Sequence, residues 1–357
     1  MMRLPLFAFR APTTLEEAAR ILHGEGPSAM ALAGGTDLLP NMKRRQQVPR
    51  TLLSLRGIEA LHETQFGESG ARLGACLTLS DIAADPRFRN GATALAQAAG
   101  SVATPQIRNM GTLGGNLCLD TRCNYYDQNY EWRKAINFCM KKDGVTCWVA
   151  PSSPKCMAVS STDTAPALMA LGARVRLVSA AGEREISLAD LYNNDGMNYL
   201  HRKPDEILAE VLLDSLHGWR STYWKLRRRG SFDFPVLSVA VAGRFANFDR
   251  TGAACCAATR ETRGALADAR IVIGSVASRP LVAGEAARFL LGRALTNEVI
   301  AEAAALAARI AKPLDNTDFD MSWRKRVTAE FVTYALRELR GDDVTAERQA
   351  ITHIASG

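Results

Sequence analysis

The chain is short of histidine, of Cys-x-x-Cys pairs and of long apolar runs, and each shortage removes a class of protein. Its five histidines among 357 residues are scattered. They form no Ser-His-Asp, His-x-x-x-His or paired-carboxylate pattern, which argues against hydrolysis or molybdenum binding by this chain itself. No apolar stretch approaches the roughly 20 residues a membrane helix needs. The opening segment Met1 to Arg10 is broken by Pro5 and is too short for a secretory core, so a cytoplasmic location away from membranes is expected. There is no basic tail. A net charge of +7, dispersed along the chain, hints at acidic partners without calling for nucleic acid. Gly-x-Gly-x-x-Gly is absent, which argues against the usual βαβ dinucleotide site. Repeats and low-complexity tracts are absent too, and 47% hydrophobic with 23% charged residues leaves ample material for two or three cores.

Eight cysteines are present, and in a reducing compartment they are read as metal ligands, catalytic groups or buried thiols rather than disulfides. Four of them, Cys123, Cys139, Cys147 and Cys156, share one stretch immediately after the glycine-rich loop Gly111-Thr-Leu-Gly-Gly-Asn116. Four thiolates in one loop suit an iron–sulfur cluster or a structural zinc, and the spacing alone leaves both open. Zinc ribbons usually use Cys-x-x-Cys knuckles, whereas a cuboidal cluster tolerates irregular spacing. Cys118 is a spare. Cys76 and the Cys255-Cys256 pair sit among small apolar residues and read as buried thiols.

Punctuation divides the chain. Thr14-Leu-Glu-Glu17 is a capping box opening a helix to about His23; a strand Ala29 to Ala33, a Gly-Gly turn and a basic helix from Leu38 follow. Thr51 to Leu55 and Ala71 to Cys76 read as strands, and Ser80-Asp81 caps a short helix. From Cys118 to Val159 neither period persists, which is long for a loop. Thr164 to Ala170 restarts a helix, and the strand around Val175 and Leu177 alternates. Strands near Ser221 to Arg227, Val236 to Phe245 and Arg270 to Val276, with helices from Thr296 and Ser322, make a further unit. Trp323, Val327, Phe331 and Leu336 give the last helix an apolar face. The expected organisation is a domain over 1–216, with subdomains of about 1–56 and 57–216 and an insertion at 119–158, then a domain over 217–340 and a tail over 341–357 without an assigned role.

Three motifs in order, Ala33-Gly-Gly-Thr-Asp37, Gln106-Ile-Arg-Asn-Met-Gly-Thr-Leu-Gly-Gly-Asn116 and Ser161-Thr-Asp-Thr-Ala-Pro-Ala167, resemble the signatures of the FAD subunits of molybdenum hydroxylases. The likeness extends to Lys225, Phe232-Asp-Phe234 and Trp323-Arg-Lys-Arg326. It implies an α+β chain, with a two-subdomain FAD-binding fold of the vanillyl-alcohol-oxidase/PCMH type and a C-terminal domain as in the CO dehydrogenase flavoprotein. The implied cofactor contacts are Met30, Ala31, Leu32, Ala33, Gly34, Gly35, Thr36, Asp37, Ser101, Thr104, Gly111, Thr112, Leu113, Gly114, Gly115, Asn116, Asp163 and Lys225, with Arg108 a weaker candidate. Backbone N–H groups of the two glycine loops would approach a pyrophosphate. Asp163 would accept from ribose or adenine, or cap the helix at Ala165. Lys225 would place a cation beside the flavin, or be a solvated strand lysine.

Ordinary members pass directly from the Gly-Gly-Asn loop to the Ser-x-Asp segment, whereas about forty residues intervene here. That insertion resembles the 4-hydroxybenzoyl-CoA reductase branch, whose flavin subunit also holds a 4Fe-4S cluster. The resemblance implies Cys123, Cys139, Cys147 and Cys156 as ligands. It also implies ferredoxin as donor, a molybdopterin-binding large subunit, a small subunit with two 2Fe-2S clusters, and a heterohexamer of two heterotrimers. An oxidising molybdenum hydroxylase acting on an aldehyde, purine or N-heterocycle is the alternative. A non-catalytic assembly protein with a zinc loop is a third reading.

Overall fold

The computed structural model describes residues 3–246 and 264–353, which leaves Cys255 and Cys256 outside the described residues. Strands β1 (Ala8–Arg10), β2 (Ala29–Leu32) and β3 (Thr51–Ser54) form a parallel sheet in the order β1-β3-β2. Parallel strands need a crossover, and the helix Leu15–Glu25 supplies it between β1 and β2, which flank β3. Thr14 Oγ1 accepts from Glu17 N–H at 3.2 Å, while the Glu17 carboxylate accepts from Thr13 N–H at 3.2 Å. The capping box therefore closes one residue early. Leu15, Ala18, Ala19 and Leu22 form the buried face of this helix.

Strands β4 (Thr64–Gly67), β5 (Gly70–Gly74), β6 (Arg174–Ser179), β7 (Gly182–Ser187) and β8 (Ile207–Asp214) make an antiparallel sheet in the order β4-β5-β8-β6-β7. The helix Leu79–Ala84 after β5 is capped by Thr78, whose Oγ1 accepts from Asp81 N–H, and not by Ser80 as expected. Thr78 has the extended backbone of a cap, whereas Ser80 lies inside the helix and donates to Asn109 Oδ1.

The C-terminal sheet, β9 (Trp219–Leu226), β10 (Leu237–Phe245), β11 (Leu266–Gly274) and β12 (Leu281–Val282), runs in the order β12-β11-β10-β9. Its side chains alternate between two cores, because successive strand residues point to opposite faces. Trp224, Val239, Val241, Ile271 and Ile273 pack beneath the helices Gly284–Leu290, Asn297–Ala308 and Met321–Arg340. Tyr223, Ala240, Ala242 and Val272 join the other core, against the helices Thr93–Ser101 and Thr164–Ala170. Each fully buried large apolar side chain contributes roughly 1.5–3 kcal/mol, so both faces of this sheet stabilise the fold.

The long helix Met321–Arg340 starts from Asp320, which accepts from Trp323 N–H at 2.8 Å, two residues before the expected Ser322. The expected tail is structured as far as it is described, to residue 353. Gly341, at φ +99°, ends the long helix, and a helix Thr345–His353 follows. Its Arg348 pairs with Glu338 at 2.6 Å and lies 4.2 Å from the ring centroid of Trp224. An amphipathic segment this short carries little signal until its docking partner is known.

Candidate functional site: a cavity between two glycine loops

A cavity of about 590 Å³ opens between the β2 loop, the 111–120 loop, the segment 197–208 and Phe232 to Phe234. Its wall includes Met30, Ala31, Leu32, Ala33, Gly34, Gly35, Thr36, Asp37, Gly111, Thr112, Gly114, Gly115, Asn116 and Asp163. Both loops need glycine where another backbone or side chain comes close, the first loop against the second and the second against Ala75. A Cβ on Gly34 would lie 1.9 Å from the Met110 carbonyl oxygen, and one on Gly114 would lie 2.7 Å from Ala75 Cβ. Gly35 takes φ +72°, the left-handed region.

The loops differ in what they leave unspent. Among the described residues, no hydrogen bond uses the backbone N–H of Gly34, Gly35, Thr36 or Asp37. In the second loop Leu113 N–H goes to Leu77 O, Gly114 N–H to Ala75 O and Gly115 N–H to Thr112 Oγ1. The first loop alone keeps the run of donors that an anionic group needs.

Asp163 is buried on the cavity wall, and both its oxygens are occupied. Tyr223 O–H donates to Oδ1 at 2.6 Å and Lys225 Nζ to Oδ2 at 3.0 Å; Lys225 also donates to Ser101 O at 3.1 Å. Asp163 stands at the N-cap position of the helix Thr164–Ala170, but its side chain makes no cap bond. Thr162 Oγ1 accepts from Ala165 N–H, and Asn116 Oδ1 accepts from Thr164 N–H and both threonine hydroxyls. Lys225 is no solvated lysine: its side chain is 4% exposed. Burial pushes its ammonium below the ordinary lysine value, and Asp163 opposes that shift. Ser101, Thr104, Leu113 and Lys225 lie off the cavity wall, with Thr104 capping the turn Pro105–Arg108 and Leu113 in the core.

Residues 5–213 match the FAD binding domain in molybdopterin dehydrogenase, and residues 221–339 match the CO dehydrogenase flavoprotein C-terminal domain. The chain belongs to this FAD-subunit family. It is 33% identical over 245 residues to the aldehyde oxidoreductase FAD-binding subunit PaoB of Escherichia coli, covering 66% of this chain and 76% of that one. To the nicotinate dehydrogenase FAD-subunit of Eubacterium barkeri it is 29% identical, with 82% of each chain covered. Among solved structures, carbon monoxide dehydrogenase from Hydrogenophaga pseudoflava superposes with a TM-score of 0.74 at 25% identity, covering 94% of this chain and 98% of that chain. The α+β architecture of FAD-binding subdomains followed by a flavoprotein C-terminal domain is the family's own.

Against this family frame, the segment 119–158 packs directly beside the cavity. Cys123, Cys139, Cys147 and Cys156 are all buried, three of them in one small core with Tyr126 and Ala158. Burial pushes the Cys123 thiol up to about 12, with the other three thiols adding to it, and Cys156 to about 11, with Lys141 pulling the other way. Among the described residues no three His, Cys, Asp or Glu side chains approach one point closely enough for a single ion.

The insertion is fastened on three sides. Arg122 forms an ion pair with Asp37 on the first glycine loop and lies 4.7 Å from the Phe234 ring centroid. Lys141 Nζ donates to Asp120 at 2.8 Å, to Thr121 Oγ1 at 2.7 Å and to Gly196 O at 2.7 Å. Asn316 of the C-terminal domain accepts from Asn124 N–H at 3.0 Å and donates from Nδ2 to Met157 O at 2.7 Å.

Several wall residues carried no sequence signal as cofactor contacts: Asp120, Met197, Tyr199, Arg202, Phe232 and Phe234. Phe232 is held at φ +61°, with its N–H donating to Ala103 O at 3.1 Å. A bulky residue there is strained. The Phe232-Asp-Phe234 motif was the one available hint. The 197–208 segment reaches the cavity only through tertiary packing.

Proposed function

We propose that this chain is the electron-transfer subunit of a molybdenum enzyme, holding FAD in the cavity and a 4Fe-4S cluster on Cys123, Cys139, Cys147 and Cys156. The observation that carries the proposal is the burial of all four cysteines within the insertion 119–158, whose Asp120 lines the cavity. The donor set suits the cluster in its chemistry: four buried thiols stand in one segment, one for each iron of a cuboid, while among the described residues no three His, Cys, Asp or Glu side chains gather for a single ion. The cavity fits FAD: the N–H groups of Gly34 to Asp37 await an anionic group such as the pyrophosphate, and Phe232 and Phe234 offer faces to a flat ring. When bound, FAD stores two electrons and an iron–sulfur group passes one at a time. The chain's own residues fix these groups. Lys225, anchored by Asp163, sets a positive charge behind the wall, and Asp37 and Arg122 close the loop between the sites.

For the assembled enzyme we assign 4-hydroxybenzoyl-CoA reduction. Two electrons and two protons remove the phenolic hydroxyl as water and leave benzoyl-CoA. Reduced ferredoxin would donate, and a molybdopterin-binding large subunit and a small subunit with two 2Fe-2S clusters would complete each half of a cytoplasmic heterohexamer. We place the boundary between the two domains near Leu216. A second reading, oxidation of an aldehyde with electrons leaving through the flavin, is favoured by the 33% identity to the Escherichia coli aldehyde oxidoreductase subunit.

The test is anaerobic purification with native partners, followed by iron, acid-labile sulfide and FAD analysis of this subunit beside Cys139→Ser. Four irons and four sulfides per FAD, lost in the variant, are expected; flavin without iron, or zinc instead, sinks the cluster. Turnover of 4-hydroxybenzoyl-CoA with a reduced low-potential donor, against turnover of aldehydes with an oxidising dye, then separates the two substrates.

A further inference from the structure

Charge is distributed unevenly around the cavity. Asp37, Asp120, Asp163, Glu206 and Asp233 line it, and each of these carboxylates is paired with a cation that stands off the wall. Arg202 is the reverse case. Among the described residues it is the one lysine or arginine on the wall, and it forms no ion pair. The Glu206 carboxylate is taken by Arg184 at 2.7 and 2.9 Å and by Lys203 N–H at 2.7 Å, and Asp205 bonds to His23 at 3.2 Å.

The Nη1 of Arg202 is spent within its own segment, donating to Lys203 O at 3.1 Å and to Glu206 O. The other edge of the guanidinium, Nε and Nη2, meets no oxygen acceptor among the described residues. That edge carries two parallel N–H groups, which match two oxygens of a phosphate. The side chain is half-buried, and its anchored end holds the fork in place. Tyr199 O–H donates to Cys118 O at 3.3 Å, and Asp120 N–H donates to Asp37 Oδ2 at 3.4 Å. The short stretch 118–120 therefore joins the segment of Arg202 to the first glycine loop, the one with unused N–H groups.

We propose that Arg202 is a binding residue for the FAD diphosphate, taking phosphate oxygens on its Nε–Nη2 edge while the N–H groups of Gly34 to Asp37 take others. The inference rests on the reading just given, that the cavity holds FAD. In the oxidised cofactor the diphosphate is the only charged part, and it is negative. Drawing it out of water against five bare carboxylates would be prohibitive. With those carboxylates paired their fields largely cancel, and Arg202 leaves the wall one positive charge in excess where water screens it poorly. The N–H groups alone supply dipoles but no net charge. Arg202 thus gives the cavity a preference for ligands that carry the diphosphate.

The experiment uses the assembled complex stripped of its flavin, with FAD rebinding followed by flavin fluorescence and with ADP and adenosine as competitors. Wild type should bind ADP far better than adenosine. Arg202→Met should weaken FAD by about 10- to 100-fold, as expected for a hydrogen-bonded charge, and should weaken ADP by the same factor while leaving adenosine unchanged. Wild-type affinities in Arg202→Met overturn the proposal, and so does an equal loss for ADP and adenosine, which marks a structural role. An unmoved ADP affinity with a shifted flavin midpoint potential overturns it as well, by placing the arginine at the ring. If Arg202→Met does not fold, Arg202→Lys decides: it keeps the charge without the fork, so the ratio of ADP to adenosine affinity should fall severalfold, and an unchanged ratio overturns the proposal. A wild-type complex that neither contains nor takes up FAD removes the cavity reading itself, a failure distinct from tight FAD binding by Arg202→Met.

Discussion

The cavity is flanked by two buried Lys–Asp–Tyr triads of nearly the same build. In one, Asp163 receives Lys225 at 3.0 Å and the Tyr223 hydroxyl at 2.6 Å; in the other, Asp120 receives Lys141 at 2.8 Å and the Tyr126 hydroxyl at 2.9 Å. Their chemistry matches, but their reach along the chain differs. The first brings a C-terminal strand onto the FAD-binding domain, and the second lies within a single insertion and fastens it to the cavity wall. Burying charge costs several kcal/mol unless each group is fully paired, so a triad that survives in the interior marks a junction whose geometry must be exact to a hydrogen bond. One junction is between domains; the other is between a loop and its host.

Breaking the interdomain triad should have the largest effect. Lys225→Met strands the Asp163 carboxylate and should cost about 3–5 kcal/mol of global stability, read from urea unfolding, with flavin lost from the purified subunit. Gly34→Ala comes next. The new methyl meets a backbone oxygen that cannot swing aside, and a cost of about 1–3 kcal/mol with weakened FAD retention is expected while the domain junction stays intact. Lys141→Met should disturb less of the molecule. Hydrogen exchange should accelerate over 119–158, and the main unfolding transition should move by less than in Lys225→Met; an equal shift would erase the distinction between the two triads.

The smallest effect tests a carboxylate outside both. Glu206 is pushed up by burial, but the Arg184 hydrogen bond and the Lys203 N–H outweigh this and hold it below its ordinary 4.5. A depressed carboxylate adds stability above that value and loses it as pH falls through the folded one. Glu206→Gln should therefore lower the plateau above about pH 4.5 slightly and flatten the fall in stability on its acid side, so that the two profiles converge at low pH.

What could be read without coordinates was what repeats locally. Thr14 capping its helix, the Thr164–Ala170 helix, the paired glycine loops and the grouping of four cysteines all have short-range signatures. Asp163 and Lys225 were each legible as candidates, but their pairing was not, since 62 residues separate them and neither segment encodes the other. The second loop's N–H groups looked as available as the first's; only the approach of Leu77 and Ala75 reveals that they are spent. Lys141 offered no pattern at all, being one of several lysines in an aperiodic stretch. The helix after Gly341 escaped for the same reason, because its face is defined by Trp224, far upstream, together with Glu338 on the preceding helix.

Asn316 grips the insertion near both ends, at Asn124 and at Met157, from within the C-terminal domain. The loop that carries the thiols is therefore also a strap across the domain boundary. Its consequence is calorimetric: with the strap and the Lys225 junction both in place, neither domain melts while the other stays folded, and heating should give one endotherm whose van't Hoff and calorimetric enthalpies agree.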